Sequence, residues 1–376
     1  MNRISRRKLL GLLGVSATAP IWLAHAAEAG QKKFVFVILR GALDGLAALI
    51  PDDPETEALR GALLPNRSER LDFGNGFRLH PALGSLRDLY VSGEAAFVHA
   101  AATPFRERSH FDGQDRLETL APPGARDGWL NRTLAALGTE GLAVGVSVPL
   151  AFRGEAPVRN WSPPVFAPVS EDLEARLMDL YAGDTLLSET LAAAMAATDP
   201  DMGQTRRGRN QVYAQTLGAL GRLMAEDGGA NVAMASLDGW DTHANQTGML
   251  NNRLAALDDA ITALKDALGS DWSNTCVVMC SEFGRTAAAN GTRGTDHGTG
   301  GLMILTGGAV AGGKVHGDWP GLKRNALYDG RDLAPANDVA AVLKGLLRDH
   351  LGLSKSALDQ TILPGSGRPM DGLIST

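Results

Sequence analysis

Short runs of consecutive apolar residues alternate along this chain with segments in which apolar residues recur at three- or four-residue spacing. An uninterrupted apolar run is typical of a strand buried on both faces, and the wider spacing is typical of a helix with one apolar face. The predicted strands are Phe34–Leu39, Ala95–Ala100, Leu142–Val148, Asn231–Leu237, Thr275–Cys280 and Leu302–Thr306. The predicted helices are Pro81–Tyr90, Arg209–Ala225, Gly248–Leu268 and Asp338–Leu351.

This alternation predicts the fold class. Buried strands separated by amphipathic helices indicate an α/β protein with a large, mostly parallel β-sheet and helices on both faces. The 376 residues suffice for one large domain. Because no linker or internal repeat divides the chain, we expect a single domain over residues 30–376. The segment Arg153–Met178 begins Pro-rich and irregular, and is predicted to be an insertion.

The first 29 residues have the pattern of an export signal. The segment Ser5–Leu10 (SRRKLL) resembles a twin-arginine motif, and a mildly apolar stretch to Leu23 precedes a small-residue cleavage site at Ala24–Ala26. The apolar stretch is too short for a membrane anchor. We therefore expect export through the twin-arginine translocase to the periplasm or the extracellular space, with no stable membrane anchor.

Composition narrows the class of partner. The net charge of −6 gives no reason to expect a nucleic acid. The two cysteines, Cys276 and Cys280, lie in one predicted strand about 13 Å apart, which is too far for a disulfide. We expect both to be reduced core residues.

Acidic residues and histidines follow the predicted strands. In open α/β sheets, ligands bind beyond the carboxyl ends of the strands. Carboxylates and imidazoles are ligands for divalent metals, and several carboxylates placed together repel one another unless a cation neutralises them. The sequence therefore predicts a metal site formed by Asp44, Asp241, His243, Glu282, Asp296 and His297.

Each of these residues also has a simpler interpretation. Asp44 alone is often a turn residue, and Glu282 has the alternative of a salt bridge to Arg285. Asp296 and His297 are adjacent and point in different directions in regular structure. They could serve two neighbouring ions, or one of them could support a ligand rather than bind the metal.

A further candidate lies at residues 106–115. Ser109 is a candidate nucleophile, with Arg106 and Arg108 nearby as anion-binding groups, and His110 is a candidate metal ligand or catalytic base. The alternative is a helix start capped by Ser109. Both interpretations can hold, because a helix N-terminus favours an ionised oxygen.

These motifs, in this order, resemble the exported bacterial family of unknown function DUF1501. The segments that carry the resemblance are RGALDG at 40–45, RSHFDGQD at 108–115, GWL at 128–130, GWDTH at 239–243, SEFGR at 281–285, TDHG at 295–298 and GDWP at 317–320. The family in turn resembles the alkaline phosphatase and sulfatase superfamily, whose members share a large parallel sheet, metal ions and a hydroxyl or modified cysteine nucleophile.

The resemblance implies roles for individual residues. Asp44 matches the metal ligand after the first strand, Ser109 the nucleophile, and Asp241 with His243 the Asp/His pair of one metal. Asp296–His297 looks like the superfamily's Asp-His pair, although that pair directly follows its strand in the superfamily and Glu282 holds that place here. A formylglycine sulfatase is not expected, because no Cys or Ser begins the required C/S-x-P-x-R pattern.

The leading hypothesis is an exported hydrolase of phosphate or sulfate esters that depends on a divalent metal, with zinc first and manganese, calcium or magnesium as the other candidates. Metal would activate Ser109 or a bound water, and Arg108 and Arg285 would hold the non-bridging oxygens of the anionic ester. The alternative is a non-catalytic exported module on the same fold that binds a partner exported protein and keeps at most a structural metal.

Overall fold

The computed structural model describes residues 31–375 apart from residues 123, 163–176, 178–179, 182 and 197–208. The strands are β1 Lys33–Arg40, β2 Leu49–Pro51, β3 Leu71–Asp72, β4 Phe77–Leu79, β5 Ala95–Ala102, β6 Gly141–Val144, β7 Val158–Trp161, β8 Val232–Asp238, β9 Thr275–Cys280, β10 Gly301–Thr306, β11 Lys314–His316 and β12 Asn337–Asp338. The helices are α1 Gly45–Ala48, α2 Pro54–Arg60, α3 Gly84–Val91, α4 His110–Thr119, α5 Trp129–Leu137, α6 Thr185–Ala196, α7 Arg209–Ala225, α8 Gln246–Leu268, α9 Val339–Asp349 and α10 Lys355–Ala357.

One large sheet organises the molecule. Its order is β11-β5-β10-β9-β1-β8-β6-β7, and β12 also pairs with β5. Strand β10 runs antiparallel to both of its neighbours, β5 and β9, whereas the other pairings in this sheet are parallel. The prediction of an α/β protein with a mostly parallel sheet is therefore confirmed. A small antiparallel sheet has the order β2-β4-β3.

The alternation of side chains along β1 shows why its apolar run is continuous. Val35, Val37 and Leu39 belong to one core, which includes residues of α3, α7 and α8. Phe34, Phe36 and Ile38 belong to a second core, which includes residues of α5 and α9. Since successive side chains of a strand point to opposite faces, a strand covered by helices on both faces must be apolar throughout.

Two details differ from the sequence-based expectations, and one agrees with them. The predicted strand Leu142–Val148 ends at Val144, and the chain bends at residues 145–147. The predicted insertion Arg153–Met178 contributes an edge strand, β7, beside β6; the rest of that prediction lies largely outside the described residues, as does the predicted export signal. Cys276 and Cys280 are buried and unbonded, as expected.

No helix in the described part of the chain has both the length and the apolar character needed to cross a membrane.

Candidate metal centre

Five chain segments meet at the carboxyl edge of the sheet. Three of them follow the parallel strands β1, β5 and β8. The other two are the halves of the β9–β10 connection, residues 281–300. Because β10 runs antiparallel to β9, this connection both leaves and re-enters the sheet at the same edge. The reversal thus brings Asp296 and His297 to the edge at which Asp241 and Glu282 lie.

Asp241 is at the centre of the resulting cluster. Its Oδ1 lies 3.1 Å from His243 Nε2 and 3.4 Å from His297 Nε2, and its Oδ2 lies 3.6 Å from His110 Nε2. The two Nε2 atoms of His243 and His297 are 2.9 Å apart. Ligand atoms of His110, Asp241 and His297 all lie within 4.8 Å of one another.

The other ring nitrogen of each histidine faces an acceptor outside the cluster. His110 Nδ1 lies 2.6 Å from Glu282 Oε1, His243 Nδ1 lies 3.3 Å from Asp296 Oδ1, and His297 Nδ1 lies 2.9 Å from the backbone oxygen of Arg108. Carboxylates and carbonyls only accept, so each Nδ1 donates its proton outwards. In neutral imidazoles the three Nε2 atoms then carry lone pairs, and these lone pairs converge on a carboxylate.

With neutral imidazoles, this arrangement of converging lone pairs suits a bound cation. The triangle of Asp241 Oδ1, His243 Nε2 and His297 Nε2 has edges of 2.9 to 3.4 Å. Ligand atoms at zinc distances of about 2.0–2.1 Å in a tetrahedral site lie about 3.3 Å apart. His110 Nε2 is buried and has no hydrogen-bond partner. The group of His110, Asp241 and His297 therefore fits a divalent metal, and His243 lies beside it within reach of Asp241 and His297.

The carboxylates around the cluster are held in their ionised forms. Burial raises the pKa of Asp241, but the hydrogen bond from Arg285 and the charge of Arg285 outweigh burial and keep the pKa below its usual value. The pKa of Asp296 is lowered mainly by a hydrogen bond from Asn290. Burial lowers the pKa of His297, which favours the neutral, metal-binding form of its imidazole.

Glu282 lies behind the cluster rather than in it. Its Oε1 accepts hydrogen bonds from the Gly41 amide, His110 Nδ1 and Gln114 Nε2. Burial raises the pKa of Glu282, but these hydrogen bonds outweigh it and hold the pKa below the usual value. The geometry gives Glu282 the part of a carboxylate that orients a metal-binding histidine. Asp296 has the same relation to His243.

Asp44 was predicted as a metal ligand, but the structure places it in a separate buried network. Its Oδ2 accepts from Arg60 Nη1 and from Gln246 Nε2, both at 2.5 Å. The Asp44 and Arg60 side chains are both 0% exposed. Gln246 Oε1 in turn accepts from the hydroxyls of Thr242 and Thr295, so the network supports the loops beneath the cluster.

The two arginines predicted to hold an ester's oxygens have other partners. The Arg285 guanidinium is 0% exposed and donates to Asp241 and to the backbone oxygens of Gly41, Ala42, Trp240 and Thr295. Arg108 donates through Nε and Nη2 to the buried carboxylate of Asp332. In this structure the Arg285 guanidinium therefore contacts Asp241 and loop carbonyls and has no access to solvent.

Ser109 is the N-cap of α4. Its Oγ accepts from the Asp112 amide at a long 3.5 Å. The preceding residue, Arg108, has φ of +62°, in the left-handed region that a non-glycine residue rarely adopts. The segment is compatible with both interpretations, a helix cap and a nucleophile. Ser109 caps α4, and its neighbours are Arg108, whose backbone oxygen accepts from His297, and His110, a proposed metal ligand.

Sequence reasoning did not identify four supporting residues. Gln114 accepts from Arg40 and donates to Glu282, and Asn290 donates to Asp296 and to the backbone of His243. Phe283 packs against the His110 and His297 rings, with centroids 5.0 and 5.1 Å away. Gln246 is the fourth. Phe283 and Gln114 belong to motifs quoted above, but nothing in the sequence marks amides or aromatics as partners of ligands.

Fold and site together define an α/β protein with a histidine- and carboxylate-lined centre at the carboxyl edge of its sheet. The chain belongs to the family described as protein of unknown function (DUF1501), whose model matches residues 71–374. That range includes every residue of the cluster and excludes Asp44. No curated protein matches the sequence.

Solved structures with a similar chain path include sulfatases and alkaline phosphatases. BT1596, a 2-O GAG sulfatase, is 9% identical, with 86% of this chain and 71% of that chain covered and a TM-score of 0.41. The zinc complex of the C-terminal periplasmic domain of EcEptC from Escherichia coli is 10% identical, with coverages of 74% and 73% and a TM-score of 0.38. Alkaline phosphatase from the Antarctic bacterium TAB5 is 12% identical, with coverages of 74% and 91% and a TM-score of 0.36.

The placement of Asp44 generates the first prediction. Asp44→Asn removes the charge that neutralises buried Arg60, so we expect the free energy of unfolding to fall by about 3 kcal/mol while the metal content of the folded protein is unchanged. Urea denaturation and elemental analysis measure the two quantities. A variant of native stability that has lost bound metal would instead make Asp44 a ligand.

Proposed function

We propose that this protein binds a divalent metal through His110, His243, His297 and Asp241 and uses it to hydrolyse a phosphate or sulfate ester. The observation that supports the proposal is the convergence of three Nε2 lone pairs on the Asp241 carboxylate, with each Nδ1 proton directed outwards. Zinc is the first candidate, because three histidines with one carboxylate suit its preference for nitrogen and oxygen ligands in a tetrahedral arrangement.

The openness of the cluster favours a catalytic metal over a structural one. The side chains of Asp241 and His243 are each 44% exposed, and those of His110 and His297 are about half as exposed. Structural zinc sites are closed by four protein ligands, whereas a catalytic zinc keeps a position for substrate or water and can expand to five ligands. If all four side chains bound the ion, the ester would take a fifth position. A small anionic ester could approach the cluster from solvent.

The chain's own residues would prepare the site for this reaction. Glu282 and Asp296 fix the ring orientation of His110 and His243, and Arg285 fixes the Asp241 carboxylate. A divalent ion bound there would polarise an ester oxygen and lower the pKa of a nearby hydroxyl. Ser109 is the proposed nucleophile, because it adjoins His110 at the N-terminus of α4, where the helix dipole favours an ionised oxygen.

One observation favours the non-catalytic alternative. Neither Arg108 nor Arg285 has a guanidinium free for an anionic ester, since one pairs with Asp332 and the other is fully buried. A binding module that holds a partner exported protein would not need such a group. Turnover of esters by the purified protein decides between the two functions. Export through the twin-arginine translocase belongs to the proposal under either function.

The proposed ligands predict a metal that depends on the cluster. Full-length protein exported to the periplasm and purified without chelators should contain one divalent ion per chain, and Asp241→Ala/His243→Ala should lose it. Elemental mass spectrometry measures the content. Asp259→Ala, a change of an exposed carboxylate on α8, serves as the matched control and should keep the metal. Native protein that contains no metal, and whose stability a chelator does not alter, would refute the proposal.

Because Glu282 orients His110 and is not itself a proposed ligand, its substitution is expected to weaken metal binding without abolishing it. Glu282→Gln keeps the shape of the side chain but removes the charge that holds the Nδ1 proton of His110, so we expect metal affinity to fall by about 10- to 100-fold without loss of the site. Competition with a chromogenic chelator measures the affinity. Glu226→Gln, on the surface, is the control. Complete loss of metal would mean that Glu282 is itself a ligand.

The assignment of the nucleophile predicts a separation of binding from turnover. Ser109→Ala should lower ester hydrolysis by about a thousandfold or more and leave metal content unchanged. Ser354→Ala is a matched control, because Ser354 caps a short helix in the same way and lies outside the site. Assays with phosphate and sulfate monoesters measure turnover. If the Ser109 variant kept native turnover, Ser109 would not be the nucleophile, and a metal-bound water would take its place.

A further inference from the structure

A cavity lies at the same edge of the sheet, immediately upstream of Asp241. Its volume is about 430 Å³, and its walls come from α7, α8 and the end of β8. Gly239 lines the cavity and precedes Asp241 by two residues, so their Cα atoms are at most about 7.6 Å apart. A molecule bound at the metal centre could therefore extend into the cavity.

Arg253 is the positively charged group of this cavity. Its guanidinium lies over the Tyr213 ring, 5.8 Å from the centroid, and forms no ion pair with a carboxylate in the described part of the chain. On its other side is Gly239, which has φ of +102°. A Cβ on Gly239 would lie 3.1 Å from Nε and Nη2 of Arg253, so the missing side chain leaves room for the guanidinium.

The walls around Arg253 are connected to the metal centre by a hydrogen bond and a ring contact. The Tyr213 hydroxyl donates to the backbone oxygen of Asp238. The Tyr213 ring is stacked on buried Trp240, 6.0 Å between centroids, and Trp240 directly precedes Asp241. The guanidinium thus lies against the Tyr213 ring, and among the described residues its N–H groups have no carboxylate acceptor. By contrast, Arg348 lines another cavity but is already paired with Asp349 and Asp371.

We propose that Arg253 forms a subsite for a second anionic group of the substrate, a phosphate, sulfate or carboxylate other than the ester that is cleaved. A guanidinium binds all three groups through paired N–H donors. The carboxylate of Asp238 lines the same cavity, so the subsite suits one anionic group directed at Arg253 rather than a dense polyanion. Its use by a substrate rests on the proposed hydrolase function; the binding of an anion does not.

The test separates the two sites by using a chain that lacks the metal centre. In the Asp241→Ala/His243→Ala background, titration calorimetry with inorganic sulfate, inorganic phosphate and acetate measures anion binding. Arg253→Gln should weaken binding by about tenfold or more, and Arg253→Lys by less, because an ammonium keeps the charge but loses the paired donors. Arg222→Gln, an exposed change on α7, should have no effect. The three probes show which anion the subsite prefers.

The outcomes distinguish this inference from the proposed function. Equal anion affinity in the Arg253→Gln and Arg222→Gln chains, or no binding in their parent, would overturn the subsite even if metal and turnover are present. Binding that depends on Arg253 in a protein without native metal would support the subsite and refute the hydrolase. For an active enzyme, Arg253→Gln should raise KM for esters with a second anionic group and leave KM for simple monoesters unchanged.

Discussion

The buried guanidinium of Arg285 joins the loops that form the candidate site. It donates to Gly41 and Ala42 after β1, to Trp240 and Asp241 after β8, and to Thr295 in its own β9–β10 connection. An unpaired buried guanidinium would be strongly destabilising, so these acceptors and the arginine require one another. Loop backbones would otherwise be free to separate at the edge of the sheet. The position of the Asp241 carboxylate, and with it the cluster of histidines, depends on this single side chain.

Around this centre the charges form layers. The buried Arg285 guanidinium pairs with Asp241, and the three histidines surround the Asp241 carboxylate. Glu282 and Asp296 contact His110 and His243 through the ring nitrogens that face away from Asp241. In and around the cluster, three carboxylates therefore lie near the buried guanidinium of Arg285 and the exposed one of Arg331. Several carboxylates at a partly exposed site favour a bound cation, and Nδ1 protons directed outwards leave the Nε2 atoms free to bind it. Glu282 and Asp296 thus orient the metal-binding histidines and are not themselves counted among the ligands.

The sequence predicts the central strands and the edge at which chemistry occurs, because strands buried on both faces have continuous apolar runs and the acidic residues follow them directly. It does not predict the reversal of β10, since an apolar run carries no information about strand direction. Nor does the sequence distinguish the metal ligands from the residues that orient them. Asp44, Asp241 and Glu282 are all carboxylates after a strand, and only the fold shows that Arg60 neutralises the first, that histidines meet the second, and that His110 Nδ1 donates to the third. Arg108 and Arg285 lie in motifs that suit anion binding. In the structure, however, Arg108 is paired with Asp332 and the Arg285 guanidinium is fully buried.

The local charge also couples the two parts of the proposed function. An anionic ester that approached Asp241, Glu282 and Asp296 would be repelled, because Arg285 lies beneath the carboxylates and cannot be reached from solvent. A divalent ion among the three Nε2 atoms would supply a positive field for the ester. Arg253 lies outside this cluster, so it can attract a distal anionic group but cannot replace the ion at the reacting one. Hydrolysis of an anionic ester at this site therefore depends on the proposed metal.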